Sequence, residues 1–166
     1  MIRYYEKEDI EQIAKIIDED WKIAFKGIIA EDYLKNLNYK DREKRIRDKY
    51  QKEKAIVYED NGIIKGFCRF GENRDDEKEL AEIYALYVKN DERRTGIGEK
   101  IITKAKEILK ERGYEEVLLW CLEENKNARN FYEKVGGKLY KERLFKIGNI
   151  YYNEVSYKYN LKGELE

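Results

Sequence analysis

At 166 residues the chain has room for one domain and no second full core. Apolar residues make up 42% of it, too many for a disordered chain, and charged residues another 42%, so nearly every exposed face must be ionic. Lysine plus arginine equals aspartate plus glutamate at 35 each, which gives no global field for nucleic acid or an acidic membrane, and the absence of histidine excludes Ser-His-Asp and Cys-His mechanisms.

Ile2 to Tyr5 reads as a short first strand. Ile10, Ile13, Ile17 and Trp21 then recur at helical spacing behind the acidic turn Lys7 to Asp9. A second helical stretch covers about Glu31 to Leu37. A highly charged one from about Asp41 to Lys52 reads as a solvated surface helix or a mobile lid. Ala55 to Tyr58 and Ile63 to Phe70 flank Asp60-Asn61-Gly62, a hairpin signal. Glu72 to Lys78 is a polar loop, Leu80 to Val88 the next strand, and Asn90 to Arg94 a charged connection. From Ile97, the residues Ile101, Ile102, Ala105, Ile108 and Leu109 mark one face of a long helix stopped by Gly113.

Val117 to Leu122 is continuously apolar, as a covered central strand requires. A short helix from about Asn127 to Val135 stops at Gly136-Gly137, with Asn127 as its expected cap. Two last strands, about Lys138 to Ile147 and Ile150 to Asn160, meet at the turn pair Gly148-Asn149. The order β-α-α-β-β-β-α-β-α-β-β predicts an α/β (α+β) fold: a twisted mixed sheet of about six to seven strands with helices on both faces.

Cys68 and Cys121 lie in apolar runs and read as buried thiols of a reducing compartment. Two separated cysteines without histidine predict no metal site. The opening Met1-Ile2-Arg3-Tyr4-Tyr5-Glu6 lacks a signal-peptide pattern, and no apolar stretch approaches the roughly 20 residues of a membrane span. The expectation is a cytoplasmic protein with neither nucleic acid nor membrane as partner. Its chemistry falls to carboxylates, tyrosine, backbone amides or a cofactor.

The segment Arg93-Arg94-Thr95-Gly96-Ile97-Gly98 joins a predicted strand to a predicted helix. Its glycines let backbone approach a ligand closely, and the first-turn N–H groups, with the positive end of the helix dipole, form an anion site. Two adjacent arginines suit a pyrophosphate. A Walker A loop would end in Gly-Lys-Ser/Thr, whereas Gly98 is followed by Glu99-Lys100; the Rossmann fingerprint would place a third glycine where Ile101 stands.

Arg93-x-x-Gly96-x-Gly98, following a strand that ends Leu86-Tyr87-Val88, resembles the acetyl-CoA motif of the GNAT N-acetyltransferases. Asn125-Lys126-Asn127-Ala128-Arg129-Asn130-Phe131-Tyr132-Glu133-Lys134-Val135-Gly136 is similar to that family's Asn-x-x-Ala-x-x-Phe-Tyr-Glu-Lys-x-Gly helix at every named position. The match is specific from Leu80 to Gly137, and the element order agrees over most of the chain. The resemblance implies one acetyl-CoA-binding acyltransferase domain over residues 1–166. Acceptor-side helices would occupy about 7–52, the cofactor-binding core about 80–137 and a C-terminal hairpin about 138–161.

The resemblance also implies roles. The backbone of Leu86, Tyr87 and Val88 would pair with pantetheine, a backbone N–H there (that of Val88 is the candidate) stabilising the oxyanion. Arg94 to Glu99, with Thr95, Gly96, Ile97 and Gly98 between, would wrap the pyrophosphate, Arg93 standing at the motif's first position and Glu99 giving only its amide. Asn125 would bond pantetheine, with a place in the helix cap as its other reading; Ala128 holds a motif position, and Lys134 reaches either a CoA phosphate or solvent. Tyr132 would protonate the departing thiolate, or else simply pack. The strand glutamate that some family members use as a base is replaced by Trp120, leaving Glu82 as base or water-holder, or as a structural hydrogen-bonding group. Trp21, Phe25, Tyr33 and the 41–52 segment would border the acceptor site. The implied reaction is acetyl transfer from acetyl-CoA, without metal, to the primary amine of a small molecule or peptide by direct attack in a ternary complex, since no adjacent base activates Cys121. A homodimer through an edge strand is a further expectation. A CoA-binding sensor without turnover and a nucleotide-binding module using the same glycines are the other readings.

Overall fold

Asn61 and Gly62 take φ of 52° and 81°, the left-handed pair that a two-residue type I′ hairpin demands. In the computed structural model, which describes residues 1–92 and 94–162, they join strands β2 (Ala55–Asp60) and β3 (Ile63–Glu72). A short strand β1 (Ile2–Tyr4) pairs antiparallel with β2 on its other side. Between β1 and β2 lie three helices, α1 (Ile10–Ala24), α2 (Glu31–Lys35) and α3 (Tyr39–Asp48). The charged segment of the sequence is thus a helix that starts two residues earlier than expected, because the side chain of Asn38 accepts from Lys40 N at 2.9 Å and caps it.

The remaining elements are β4 (Leu80–Val88), α4 (Ile97–Glu111), β5 (Glu116–Leu122), α5 (Lys126–Lys134), β6 (Lys138–Ile147) and β7 (Ile150–Asn160). The strands form a seven-stranded mixed sheet in the order β1-β2-β3-β4-β5-β7-β6, with β4 and β5 parallel. Parallel neighbours need a crossover, and α4 supplies it. Gly148 at φ 64° makes the β6–β7 hairpin turn where the sequence placed it.

The chain divides into two compact units, residues 1–69 with 85–105 and residues 70–84 with 106–166. In the first, Ile10, Ile13 and Ile17 of α1 pack on Ala55, Val57, Ile64 and Phe67, and Trp21, Ile46 and Tyr87 border that core. In the second, the buried residues include Phe70, Leu109, Leu118, Leu119, Val155, Tyr157 and Tyr159. Both cysteines are buried free thiols. Among the described residues no helix is long and apolar enough to cross a membrane.

Candidate active site

The turn into α4 has the geometry of a cradle. Arg94 and Gly96 take φ of 66° and 86°, and the hydroxyl of Thr95 donates to the carbonyl of Glu92 at 2.5 Å. The first backbone bond closing the helix among the described residues runs from Lys100 N to Gly96 O at 3.1 Å, which leaves the amides of Gly98 and Glu99 without an acceptor among them. The Glu99 side chain is exposed, and a Cβ built on Gly96 meets nothing within 4 Å. These are uncommitted donors at the positive end of a 15-residue helix, a chemistry that fits a pyrophosphate. Arg93 lies outside the described residues.

Gly66 on β3 holds that helix close. A Cβ there would stand 2.4 Å from Ile101 Cδ1 and 3.2 Å from Ile97 Cγ2, so glycine lets the first two turns of α4 pack at this depth without displacing those two side chains.

The neighbouring strand offers the second feature. The β4–β5 ladder runs from Leu80 opposite Glu116 to Ile83 opposite Leu119 and ends there. Lys89 N donates to Lys65 O of β3 at 2.8 Å. Successive amides along a strand face opposite edges, so the N–H of Val88 faces away from β3, as does that of Leu86. Both residues are half-buried.

The aromatic residues expected at the acceptor side cluster in this same unit. The Trp21 ring meets Phe25 edge-on at 4.9 Å between centroids and Tyr33 at 6.3 Å. Trp21 Nε1 donates to the Tyr87 hydroxyl at 2.9 Å. Burial pushes the Tyr87 phenol up, against the opposing influence of that hydrogen bond. The Arg42 guanidinium lies 5.4 Å from the Trp21 ring. Nothing in the sequence singled out Arg42 or the side chain of Tyr87, because both act through partners distant in the chain.

Asn125, Ala128, Tyr132, Lys134 and Glu82 belong to the second unit. Asn125, not Asn127, caps α5: its Oδ1 accepts from Ala128 N at 3.2 Å, and Asn127 is already inside the first turn. The correction has a local cause, since Asn125 at φ −80° and ψ 79° leaves the helical region while Lys126 enters it. Tyr132 sits in the last turns of α5 with its carbonyl accepting from both Gly137 N at 2.9 Å and the Tyr159 hydroxyl at 3.0 Å. A Cβ on Gly137 would meet that carbonyl at 2.8 Å, so the second glycine after the helix is required by the contact that anchors Tyr132. Lys134 is exposed.

Glu82 is buried and ion-paired. Its Oε1 accepts from Arg74 N at 3.1 Å and its Oε2 from Arg74 Nε at 2.9 Å and from Nη2 as well. Trp120, at the position of the missing strand glutamate, lies 4.0 Å under the Arg143 guanidinium. Burial pushes the Cys121 thiol up to about 12, so it is protonated at neutral pH.

The sequence model of the family described as "Acetyltransferase (GNAT) family" matches residues 11–137. The chain belongs to that family. It is similar to the uncharacterized N-acetyltransferase YuaI of Bacillus subtilis, with 30% identity over 93% of this chain and 89% of the relative. It is also similar to the spermidine N(1)-acetyltransferase of Thermoplasma acidophilum, with 28% identity over 83% and 88% of the two chains. Among solved structures, an N-acetyltransferase of Staphylococcus aureus Mu50 shares the fold at TM-score 0.75 and 23% identity, covering 98% of both chains. A PaiA N-acetyltransferase of Thermoplasma acidophilum, solved in complex with coenzyme A, matches at TM-score 0.67 and 25% identity over 93% of this chain and 96% of that one. This acetyltransferase is therefore an enzyme of the N-acetyltransferase class, built on the mixed sheet that its motifs led one to expect.

Proposed function

We propose that this acetyltransferase, acting as one acyltransferase domain, transfers the acetyl group of acetyl-CoA to a primary amine by direct attack in a ternary complex. The observation that supports it most is that one unit combines amides at Gly98 and Glu99, which have no acceptor among the described residues, with a Val88 N–H turned away from its strand partner. The first pair, with Arg94 to Ile97 and Arg93, hold the pyrophosphate. The edge of Leu86 to Val88 takes pantetheine as an added strand, and Val88 N–H holds the oxyanion formed on amine attack. Asn125, whose Oδ1 is committed to the cap, binds pantetheine through its amide N–H groups.

Tyr132 gives its proton to the thiolate as the C–S bond breaks. A phenol of pKa about 10 serves a thiol of about 8.5 only when held within hydrogen-bond reach. Glu82 has accepted hydrogen bonds from three Arg74 donors, so of roughly four lone-pair sites one is left to hold the water that takes the amine proton. The protonated Cys121 thiol supports direct attack over an acyl-enzyme. A homodimer along β6 is supported by the exposure of Leu139, Leu144 and Phe145 on that edge strand.

A CoA sensor without turnover is favoured by one observation, the commitment of Glu82 to Arg74. Thiol release from acetyl-CoA with a panel of amines separates the two, since a sensor releases none. Thermal melting tests the cradle. CoA at a hundredfold excess over Kd stabilises by about 2.7 kcal/mol, while ATP and NAD do not, and Gly96→Glu abolishes the effect. Equal stabilisation by ATP, or none by CoA, overturns the assignment.

A further inference from the structure

We propose that the acceptor carries a carboxylate as well as its amine, and that Arg42, laid over Trp21 among Phe25, Tyr33 and Tyr87, is the group that binds it. The inference rests on the acetyltransferase reading and names the substrate class of that site. Four other arginines have carboxylate partners: Arg3 with Asp9 and Glu59, Arg47 with Glu43, Arg74 with Glu82, Arg143 with Glu154. Arg42 has none within ion-pair distance among the described residues. Its Nε is buried and makes no hydrogen bond.

Asp18 is the acid whose field Arg42 feels, but that carboxylate is committed to Lys22 at 3.0 Å. Burial pushes the Arg42 guanidinium down, opposed by the fields of Tyr87 and Asp18, and an arginine stays cationic at neutral pH nonetheless. A partly buried cation with an unsatisfied N–H is unfavourable unless something completes it. The guanidinium fork, Nε beside Nη, is complementary to a carboxylate held by two parallel bonds.

An aromatic group such as Trp21, Phe25 and Tyr33 would by itself suit a cationic acceptor. Here the Trp21 ring already has a cation against it, at 5.4 Å. A polyamine would bring like charge to that spot, whereas an amino-acid-like acceptor brings the missing anion. The hydroxyl of Tyr87, which accepts from Trp21 Nε1, retains its own proton to donate to the same carboxylate.

The test uses Trp120→Phe, which leaves Trp21 as the sole indole of the chain's two. Its fluorescence is titrated with N-acetylglycine, N-acetylglycinamide and spermidine. The acid is expected to give a saturable change at least about tenfold tighter than the amide, and Arg42→Met, which keeps the stacked stem, removes that preference. A response to the acid no stronger than to the amide, no response to either, or saturation by spermidine alone overturns the proposal. Should Trp120→Phe not fold, the unaltered chain decides by thiol release: glycine must outrun glycinamide about tenfold in kcat/KM, and Arg42→Met must level them. The titration needs no CoA, so its failure leaves acetyl transfer standing, and loss of CoA-induced stabilisation with carboxylate binding intact sinks acetyl transfer alone.

Discussion

Arg74 closes over Glu82 with its backbone N–H on one oxygen and its guanidinium on the other. The carboxylate side chain is 1% exposed and the guanidinium 54%, so the pair is lopsided. Removing the arginine strands a buried charge, whereas the arginine itself can turn to water. Arg74→Ala is expected to lower stability by about 3 kcal/mol, read from urea unfolding, with Arg74→Lys recovering part.

Glu82→Gln distinguishes a working carboxylate from a structural one. With Glu82 holding the proton-accepting water, kcat falls about a hundredfold while acetyl-CoA affinity is kept. If turnover per folded molecule is unchanged, its role is confined to the ion pair.

Tyr132→Phe leaves the ring in its contacts with Phe131 and Tyr157 and removes only the hydroxyl. The expected result is a fall in kcat of about a hundredfold with CoA binding and melting temperature held. Single-turnover thiol release reads the first and calorimetric titration the second.

Gly137→Ala sets a Cβ against the backbone carbonyl of Tyr132 and against the Tyr159 hydroxyl, each at 2.8 Å. Backbone cannot step aside as a side-chain terminus can, so the variant is expected to lose about 2 kcal/mol. The ring carbon Cζ of Tyr159 stands at 2.9 Å as well; adding Tyr159→Leu removes both it and the hydroxyl, and the double variant should lose less than the sum, as a denaturant double-mutant cycle would show.

Asp9 gives the acid limb of stability. Burial alone would raise its carboxyl, but the Arg3 guanidinium and the Glu6 N–H outweigh burial and hold it below the ordinary value. Its contribution is present above the unfolded carboxyl pKa of about 4 and disappears as pH falls through the lower folded value. Asp9→Asn is therefore expected to cost about 2 kcal/mol at neutral pH, and the gap to the parent should close below about pH 4 in chemical unfolding.

The Gly148-Asn149 turn was legible to the residue and the Asn61-Gly62 turn to within one, Asp60 belonging to the strand, because left-handed φ is a local demand that few side chains meet. The glycine-bearing turn into α4 was legible for the same reason. Choosing between Asn125 and Asn127 as the α5 cap failed because two good caps stand two residues apart and only the backbone path decides. Trp21 and the 41–52 segment were expected on one side of the molecule, but the particular contact of Arg42 was not; Arg74 on Glu82 and Gly66 beneath Ile101 left no trace in the sequence, since each pairing joins segments that only the folded chain brings together.

The buried thiols turn out to be useful clocks. Cys68 belongs to the first unit and Cys121 to the second, and neither is open to a reagent in the closed protein. Alkylation can proceed only as fast as the surrounding strand lets go, so mass spectrometry of the two peptides over time would report the opening of each unit separately.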